Sequence, residues 1–283
     1  MMQRLDKALV ERGMVESRSQ AESWIRLGRV KVQGKQVTKA GAMVGPDMDI
    51  TLDAPERYVS RAGLKLASVA QEFGLDFTDK IVLDVGSSTG GFTDYALQHG
   101  AQKVIAVDVG TEQLHPSLRG NPRIELHEKT DIREVVYRPV PTTVSGTASH
   151  RVPVEHPSAG TRAADVPDTV SARTSSSLEL HVHPDIVVID VSFVSLRQIL
   201  PSVAAVSDGK TQIVAMVKPQ FEAARQQLTR GGIVKNDRMR REILRDFELW
   251  SREYFVIRAK ADSAVAGAHG NRERFYVLSV SAK

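Results

Sequence analysis

A glycine-rich turn between an apolar run and a helical stretch constrains the fold of this chain more than any other feature. The run Ile81–Val85 leads into the letters GSSTGG, and a helical pattern follows from about Phe92 to His99. From there to residue 280, short apolar runs typical of buried strands alternate with helical stretches. This alternation predicts an α/β fold, a Rossmann-like doubly wound sheet with right-handed crossovers. The predicted strands cover residues 81–85, 103–107, 123–126, 186–189, 213–217, 256–259 and 275–280.

Composition excludes several classes of protein. The chain has 283 residues, 41% of them hydrophobic, which is enough for one mid-sized domain and a small one. It has no cysteine, so disulfides, thiolate zinc sites and cysteine nucleophiles are excluded, and a cytoplasmic location is expected. No apolar run reaches the length of about 18 residues that a membrane span needs, and the first residues lack a signal-peptide core. We therefore expect no association with a membrane.

One stretch interrupts the alternation of strands and helices. Residues 137–184 are rich in Ser, Thr, Pro, His and Ala and show no periodicity. Unstructured loops of this length are uncommon in compact domains. We predict a disordered insertion at 137–184, with a functional lid as the alternative. His181 and His183 lie close together at its end, but no third ligand has a suitable spacing, so no metal site is predicted.

Residues 1–57 form a separate predicted unit, which a linker and leading helix at 58–80 connect to a second domain at 81–283. Leu5, Leu9 and Val10 have helical spacing, and alternating valines around Gly34 predict a hairpin. Residues 1–45 contain nine Lys or Arg and four Asp or Glu, while the whole chain has a net charge of +4. The positive charge is therefore concentrated in this unit. Such a surface suits phosphate contacts, although charge alone fits a solvated basic face equally well.

The strings RLDKALVERG and SRSQAESWIRLGRVKVQGKQV resemble the S4-like RNA-binding domain, and the resemblance covers nearly all of this small α+β unit. It implies that the two helices and the adjoining hairpin dock on structured RNA. Basic residues within the matching strings are then candidate RNA contacts. They are Arg4, Arg18, Arg26, Arg29, Lys31 and Lys35.

The glycine-rich turn itself does not fit the two best-known phosphate-binding patterns. A dinucleotide fingerprint would need glycine at position 88, which is Ser, and a P-loop would need lysine after Gly91, where Phe92 stands. What remains is an acid near the strand end, Asp84, and a second acid, Asp108, after the next strand. An acid at the position of Asp108 can accept hydrogen bonds from both ribose hydroxyls of a nucleoside. Asp84 is either a partner for a positively charged cofactor group or a plain turn acid.

The strings DVGSSTGGFTD, AVDVG and QLH resemble the TlyA family of ribosomal RNA 2′-O-methyltransferases, historically labelled haemolysins. The resemblance implies a methyltransferase fold, S-adenosyl-L-methionine as cofactor, and ribosomal RNA or a ribosomal subunit as partner. The compact form of the chain is similar to that of members acting on the large subunit. The implied cofactor-binding residues are Asp84, Gly86, Ser87, Ser88, Thr89, Gly90, Gly91, Phe92, Asp108, Val109 and Asp131.

Three departures from the family pattern concern the adenine pocket. Asp131 stands where the family usually has Asn, and Thr111 and Pro116 replace aromatic residues. From position alone, Asp131 is either an acceptor for the adenine amine or an ordinary loop residue.

Two predicted strands end in a charged residue. Asp190 follows 186–189, and Lys218 follows 213–217. A charge at the end of an apolar strand is costly unless it is paired or used. Methyl transfer to a ribose hydroxyl requires a base, and a lysine can serve as one where burial or a neighbouring cation lowers its pKa. Both residues lie at the carboxyl ends of strands, where open sheets bind their ligands.

FtsJ-like ribose methyltransferases, which include the TlyA family, use a Lys-Asp-Lys-Glu tetrad. Matching the motifs SRAGLKL, DVSFVSL, VKPQFE and GNRE assigns the tetrad to Lys65, Asp190, Lys218 and Glu273. We take Lys218 as the base; the alternative is that the four residues form structural ion pairs. Ala62 replaces a more usual Gly, and Arg274 stands where an aromatic residue commonly follows the Glu.

Two other functions remain open at this point. The chain could be an RNA-binding or ribosome-assembly factor that retains the fold without catalysis, although all four tetrad positions carry the expected residue types. It could also be a cytolysin, as the historical label of the family suggests, although no membrane-inserting segment is visible. The sequence does not predict the oligomeric state.

Overall fold

The computed structural model describes residues 2–15, 18–26, 28–52, 58–140, 177–265 and 271–281. Its first part is a small α+β unit. Two short sheets, β1 with β4 and β2 between β3 and β5, enclose a core of Leu5, Leu9, Trp24 and Ile25. The elements of this unit are β1 Gln3–Arg4, α1 Leu5–Glu11, α2 Arg18–Arg26, β2 Val30–Val32, β3 Lys35–Gln36, β4 Met43–Val44 and β5 Ile50–Leu52.

The predicted hairpin in this unit is present. Strands β2 and β3 pair antiparallel, with Val32 opposite Lys35. The two residues between them, Gln33 and Gly34, have φ angles of 50° and 72°. Positive φ at both positions is the geometry that two-residue hairpin turns require.

The second part of the chain is built on a seven-stranded sheet in the order β13-β14-β12-β11-β6-β7-β8. Its strands are β6 Ile81–Val85, β7 Lys103–Val107, β8 Ile124–His127, β11 Ile186–Ile189, β12 Gln212–Val217, β13 Phe255–Asp262 and β14 Arg274–Val280. The five strands from β12 to β8 are parallel, which confirms the predicted doubly wound sheet. The last two strands form an antiparallel edge that the sequence pattern did not predict.

Helices cover both faces of this sheet. They are α3 Arg61–Ala70, α4 Gly91–Gln98, α5 Leu196–Val206, α6 Pro219–Glu222 and α7 Asp237–Ser251. Neighbouring residues of a strand point to opposite faces, so Leu83 packs in the layer of α5 and α7 while Val82 packs in the layer of α3 and α4. The order of the strands reverses between β6 and β11. Ligands of open α/β sheets bind at the carboxyl ends of strands beside such a reversal.

Helix α3 links the two parts of the molecule. Leu64, which is 3% exposed, is buried in the core of the N-terminal unit together with Val265 from the segment after β13. Leu66 and Val69 of the same helix pack in the core of the large sheet. The helix that carries Lys65 therefore packs against both hydrophobic cores.

The prediction of an insertion at 137–184 was too wide. Its flanks belong to the fold: β9 Val136–Tyr137 and β10 Glu179–Leu180 pair in parallel, and the rings of Tyr137 and His183 stack with centroids 3.6 Å apart. Residues 141–176, and with them the prediction of disorder, lie outside the described residues. Among the residues that are described, no group of three or more His, Asp or Glu side chains is arranged to hold a metal ion. Nor does any helix among them have the length and apolar character of a membrane span.

Candidate active site

The glycine-rich turn brings the ends of β6 and β11 into close contact. Gly86 has a φ of +81°, and a Cβ atom there would lie 2.8 Å from the carbonyl oxygen of Asp190. Only glycine fits both this conformation and this close approach. The turn therefore opens the carboxyl edge of the sheet at the strand-order reversal.

Two adjoining cavities lie at this edge, a cleft of about 490 Å³ and a smaller one of about 130 Å³. Gly86, Ser88, Asp190 and Ser192 line both. The larger volume is in the range of small-molecule sites. Of the other predicted cofactor residues, the larger cleft is lined by Asp108, Val109 and Asp131, and the smaller cavity by Asp84, Ser87, Thr89 and Phe92.

Gly90 and Gly91, which the sequence analysis also assigned to the cofactor, line neither cavity. A Cβ atom on Gly90 would meet Leu118 at 2.5 Å, and one on Gly91 would meet the Cβ of Ala62 at 2.8 Å. The small size of these two residues thus serves packing, and at Gly91 it allows the start of α3 to pass close to the start of α4. The match to the family string gave no means of separating these two uses of glycine.

Asp108 is fixed at the rim of the larger cleft. Its Oδ2 accepts a hydrogen bond from the amide of Ser88 at 2.8 Å, and its Oδ1 accepts one from the amide of Gly110 at 2.7 Å. Each carboxylate oxygen can accept a further bond. The predicted contact with two ribose hydroxyls is therefore compatible with the observed bonds.

Asp84 is fully buried beneath the smaller cavity. Its Oδ2 accepts a hydrogen bond from Oγ1 of Thr93 at 2.6 Å, while its Oδ1 has no partner among the described residues. Burial raises the pKa of Asp84 to about 7, against the opposing effect of the Thr93 hydrogen bond. The Oγ of Ser87 is also buried without a described partner. Because buried polar atoms are nearly always paired, these two atoms fit a ligand that carries hydrogen-bond donors.

Asp131 is engaged by a neighbour in the chain. It caps the short helical turn Ile132–Glu134 and forms an ion pair with Arg133 at 2.6 Å. The hydrogen bonds from Arg133 hold the pKa of Asp131 below its usual value. Any contact between Asp131 and a ligand amine would therefore be shared with Arg133, which also lines the larger cleft.

The four residues matched to the catalytic tetrad form two ion pairs. Nζ of Lys218 lies 2.7 Å from Oδ1 of Asp190 and also donates to Oγ of Ser192 at 2.7 Å. Nζ of Lys65 lies 2.6 Å from Oε2 of Glu273. Each of these four charged side chains is 15% exposed or less. Lys218 and Asp190 line the smaller cavity, whereas Lys65 and Glu273 line neither cavity.

The sheet register brings the two pairs to the same place. Val217 of β12 is opposite Arg274 of β14, so Lys218 and Glu273 are the next residues along at the end of these neighbouring strands. Lys65 lies one helical turn after Ala62, which lines the smaller cavity. The structure thus collects the four residues from distant parts of the chain at one edge of the sheet.

Several residues of the site were missed by the sequence analysis. Ser192 contacts Lys218, Thr93 contacts Asp84, and Gln113 accepts a hydrogen bond from Oγ of Ser88 at 2.9 Å. Ser192 and Gln113 lie within the strings DVSF and QLH, so their positions in the matched motifs were an available signal.

An exposed aromatic residue also stands at the rim. Phe193 lines the larger cleft, is 91% exposed and has a φ of 64°. Its ring centroid is 5.2 Å from that of Phe221. Left-handed backbone is unusual for a bulky residue and marks a constrained position.

The candidate RNA contacts of the N-terminal unit fall into two groups. Arg4 and Arg18 bind the buried carboxylate of Asp6 at 3.0 and 2.7 Å, and the Arg4 hydrogen bond in particular lowers the pKa of Asp6 to about 2. These two arginines support the fold while remaining half exposed. The other four are exposed; they are Arg26, Arg29, Lys31 and Lys35.

A second basic segment, at 225–241, was not recognised in the sequence. It follows α6 and includes a short antiparallel bridge between Leu228 and Val234. Oδ1 of Asn271, two residues before Glu273, accepts a hydrogen bond from the amide of Val234 at 3.2 Å. The segment is therefore anchored beside the candidate tetrad. Its exposed basic residues are Arg225, Arg230, Lys235, Arg238 and Arg241.

Comparison with known proteins identifies both parts of the chain. Residues 58–280 match the FtsJ-like methyltransferase model, and residues 3–50 match the S4 domain model. The chain is 35% identical to the "Putative rRNA methyltransferase YqxC" of Bacillus subtilis over 96% of its length and 83% of that protein. It is 31% identical to the "16S/23S rRNA (cytidine-2'-O)-methyltransferase TlyA" of Mycobacterium tuberculosis, over 97% of this chain and 89% of the relative. A solved structure called "Putative hemolysin from Streptococcus thermophilus" is 32% identical with a TM-score of 0.63, covering 100% of this chain and 90% of that one.

Proposed function

This chain belongs to the FtsJ-like methyltransferase family and carries an S4 domain, and from that premise we propose that it transfers a methyl group from S-adenosyl-L-methionine to a ribose 2′-hydroxyl of a cytidine in ribosomal RNA. One observation carries the proposal. The pairs Lys218–Asp190 and Lys65–Glu273 lie at the same carboxyl edge of the sheet, where Lys218 and Asp190 line a cavity beside Gly86. The name of the M. tuberculosis relative supports the choice of cytidine and of ribosomal RNA.

The residues of the two cavities fit the cofactor. Oδ1 of Asp84 and Oγ of Ser87, which have no partner among the described residues, suit its amino-acid end, and the carboxylate of Asp108 suits its ribose. When bound, S-adenosylmethionine supplies an electrophilic methyl group on a positively charged sulfur. Gly86 leaves room for a ligand at the point where β6 and β11 end. Val109 and Asp131 line the part of the larger cleft that would receive the adenine.

Lys218 is the general base in this proposal. Asp190 and Ser192 hold its Nζ in the wall of the smaller cavity, where the amine, after it has given up a proton to solvent, takes the proton of the ribose hydroxyl. Asp190 then stabilises the ammonium ion that forms. Glu273 and Lys65 complete the charge balance around the base and orient the ribose. A positioned base contributes roughly 10²- to 10⁴-fold to a rate.

RNA recognition in this proposal uses two basic surfaces. The exposed residues Arg26, Arg29, Lys31 and Lys35 belong to the unit at 1–57, which we assign to RNA binding. The basic segment 225–241 lies beside the tetrad within the catalytic domain at 81–283, which follows the leading helix of 58–80. Lysine and arginine that neutralise phosphates release counterions, so binding should weaken steeply with salt. A ribosomal substrate also implies a cytoplasmic location.

The test is methyl incorporation into defined RNA. Purified protein is incubated with tritiated S-adenosylmethionine and with 16S and 23S rRNA, free and as assembled subunits. We expect incorporation into at least one substrate, with 2′-O-methylcytidine as the labelled nucleoside after digestion. Lys218→Ala should abolish incorporation, and Lys210→Ala, at an exposed lysine before β12, is the matched control.

Other outcomes identify the alternatives. RNA binding without incorporation, by folded wild-type protein that binds cofactor, would contradict the proposal and favour a non-catalytic RNA-binding factor. Lysis of erythrocytes by purified protein free of cofactor would favour the cytolysin. Incorporation at wild-type rate by Lys218→Ala would refute the role given to Lys218 alone.

A further inference from the structure

Two charged residues outside the tetrad hold the chain on both sides of Glu273. Arg240 is on α7, and its side chain is 10% exposed. Its Nε donates to the carbonyl oxygen of Arg272 at 2.9 Å, and its Nη2 donates to Oδ1 of Asp262 at 2.6 Å. The same Oδ1 accepts a hydrogen bond from Nε of Arg274 at 2.6 Å. One Arg–Asp pair therefore fixes the residues immediately before and after Glu273.

Two further contacts complete the support of this segment. The carbonyl oxygen of Glu273 accepts a hydrogen bond from the amide of Ser263 at 3.0 Å. The side chain of Asn271 is 7% exposed and binds the amide of Val234. Displacement of this segment would change the distance between Oε2 of Glu273 and Nζ of Lys65, which is now 2.6 Å.

Stability alone is a weak reason for such a pair. Replacing a buried ion pair with apolar side chains of similar volume is often neutral or stabilising, because desolvation offsets the attraction between the charges. A guanidinium group, however, binds two acceptors at once in a rigid geometry. In Arg240 these two acceptors are the backbone next to Glu273 and the carboxylate at the end of β13. The pair thus fixes the position and orientation of the backbone that carries Glu273.

We propose that Arg240 and Asp262 are positioning residues for methyl transfer, which set the Glu273 carboxylate against Lys65. The inference rests on the proposed function. It also accounts for Arg274, which stands where the family commonly has an aromatic residue, because Arg274 provides the second contact to Asp262. Neither Arg240 nor Asp262 lines the two cavities, so both act through Glu273.

The experiment compares Arg240→Met, Arg240→Lys and Asp262→Asn with Arg245→Met. Arg245 is on the same helix, is exposed and lies outside the basic segment 225–241, so it is a matched control. We expect Arg240→Met and Asp262→Asn to lower kcat about 10- to 100-fold, since misplacement by about 1 Å can cost a hundredfold. KM for RNA and Kd for S-adenosylhomocysteine should stay within about twofold, because only an interaction at the reacting centre is changed. Arg240→Lys can reach one acceptor and should be intermediate.

A double-mutant cycle separates positioning from general stability. If Arg240 acts through Glu273, then Arg240→Met should cause no further loss of kcat in a Glu273→Gln background. Unfolding midpoints are measured for every variant, and Asp262→Asn and Arg240→Lys replace Arg240→Met if that variant does not fold. The inference would be overturned by additive losses, by unchanged kcat in a folded Arg240→Met protein, or by an equal loss in Arg245→Met. Failure of the wild type to methylate any RNA would instead refute the proposed function.

Discussion

Because Asp84 lies in the predicted cofactor site, its ionisation can be tested by measuring how cofactor affinity changes with pH, in the absence of RNA. Its pKa of about 7 in the free protein means that much of the carboxyl group is protonated in mildly acidic solution. A positively charged amino group binds only the ionised form well. Because ionisation increases with pH, affinity for S-adenosylhomocysteine should rise as the pH rises from 5.5 to 7. An exposed carboxylate would give a rise of the same sign near pH 4, so a midpoint near pH 7 distinguishes the buried group.

The magnitude follows from the ionised fraction. With a pKa of about 7, roughly 3% of Asp84 is ionised at pH 5.5 and about half at pH 7, so affinity should change about fifteenfold across this interval. Below pH 7 an α-amino group, with a reference pKa of about 7.7–8.0, stays mostly protonated and contributes little. Isothermal titration calorimetry at 0.5-unit steps, in buffers matched for ionisation heat, measures the change.

Two variants make this measurement decisive. Asp84→Asn should bind weakly at every pH and lose the dependence. Asp131→Asn is the matched control, because Asp131 lines the adjoining larger cleft and its lowered pKa keeps it ionised throughout, so the slope should persist. A flat profile in the wild type, or an unchanged slope in Asp84→Asn, would refute the assignment of Asp84 to the cofactor.

Four shorter predictions test other parts of the structure. Lys218→Ala should reduce methyl incorporation by about 10²-fold or more while calorimetry shows cofactor affinity within severalfold of wild type. Gly86→Val should abolish cofactor binding and lower the unfolding temperature, because its side chain would meet the backbone of Asp190; equal calorimetric affinity would contradict this. Asp6→Asn should lower the unfolding midpoint in urea at pH 7 but not near pH 2, since the low pKa of Asp6 gives stability that is present above pH 4 and lost as the pH falls toward 2. Phe193→Ala should raise KM for RNA while leaving cofactor affinity unchanged, because its exposed ring stands at the rim of the cleft; an unchanged KM would argue against contact with the substrate.

The strands of the parallel sheet could be predicted because they are short apolar runs bounded by polar residues. Asp190 and Lys218 each follow such a run directly. Because the carboxyl ends of parallel strands meet at one edge of the sheet, both could be predicted to lie at that edge. The antiparallel edge formed by β13 and β14 could not, because a single apolar run does not reveal the direction in which it joins a sheet. The extent of the insertion was also misjudged, because β9 and β10 are too short to give a period.

The contact between Lys65 and Glu273 could not be predicted from the spacing of residues along the sequence. The two residues lie in distant segments, and their contact follows from the register of β14 against β12 and from the packing of α3. The use of Gly90 and Gly91 for packing is likewise decided by Leu118 and Ala62, which approach from other parts of the fold. Motif matching predicts a set of site residues, and the tertiary structure separates those that line the cavities from those that do not.

The position of helix α3 affects how the chain can be dissected experimentally. A fragment starting at residue 58 would lose the partners of Leu64 and Val265 and would present both side chains to water. Lys65, the residue that follows Leu64, is on the same helix. If such a truncated enzyme failed to methylate RNA, the loss could come either from weaker RNA binding or from a displaced helix α3. Point substitutions at exposed arginines such as Arg26 and Arg29 therefore test the contribution of the N-terminal unit more directly.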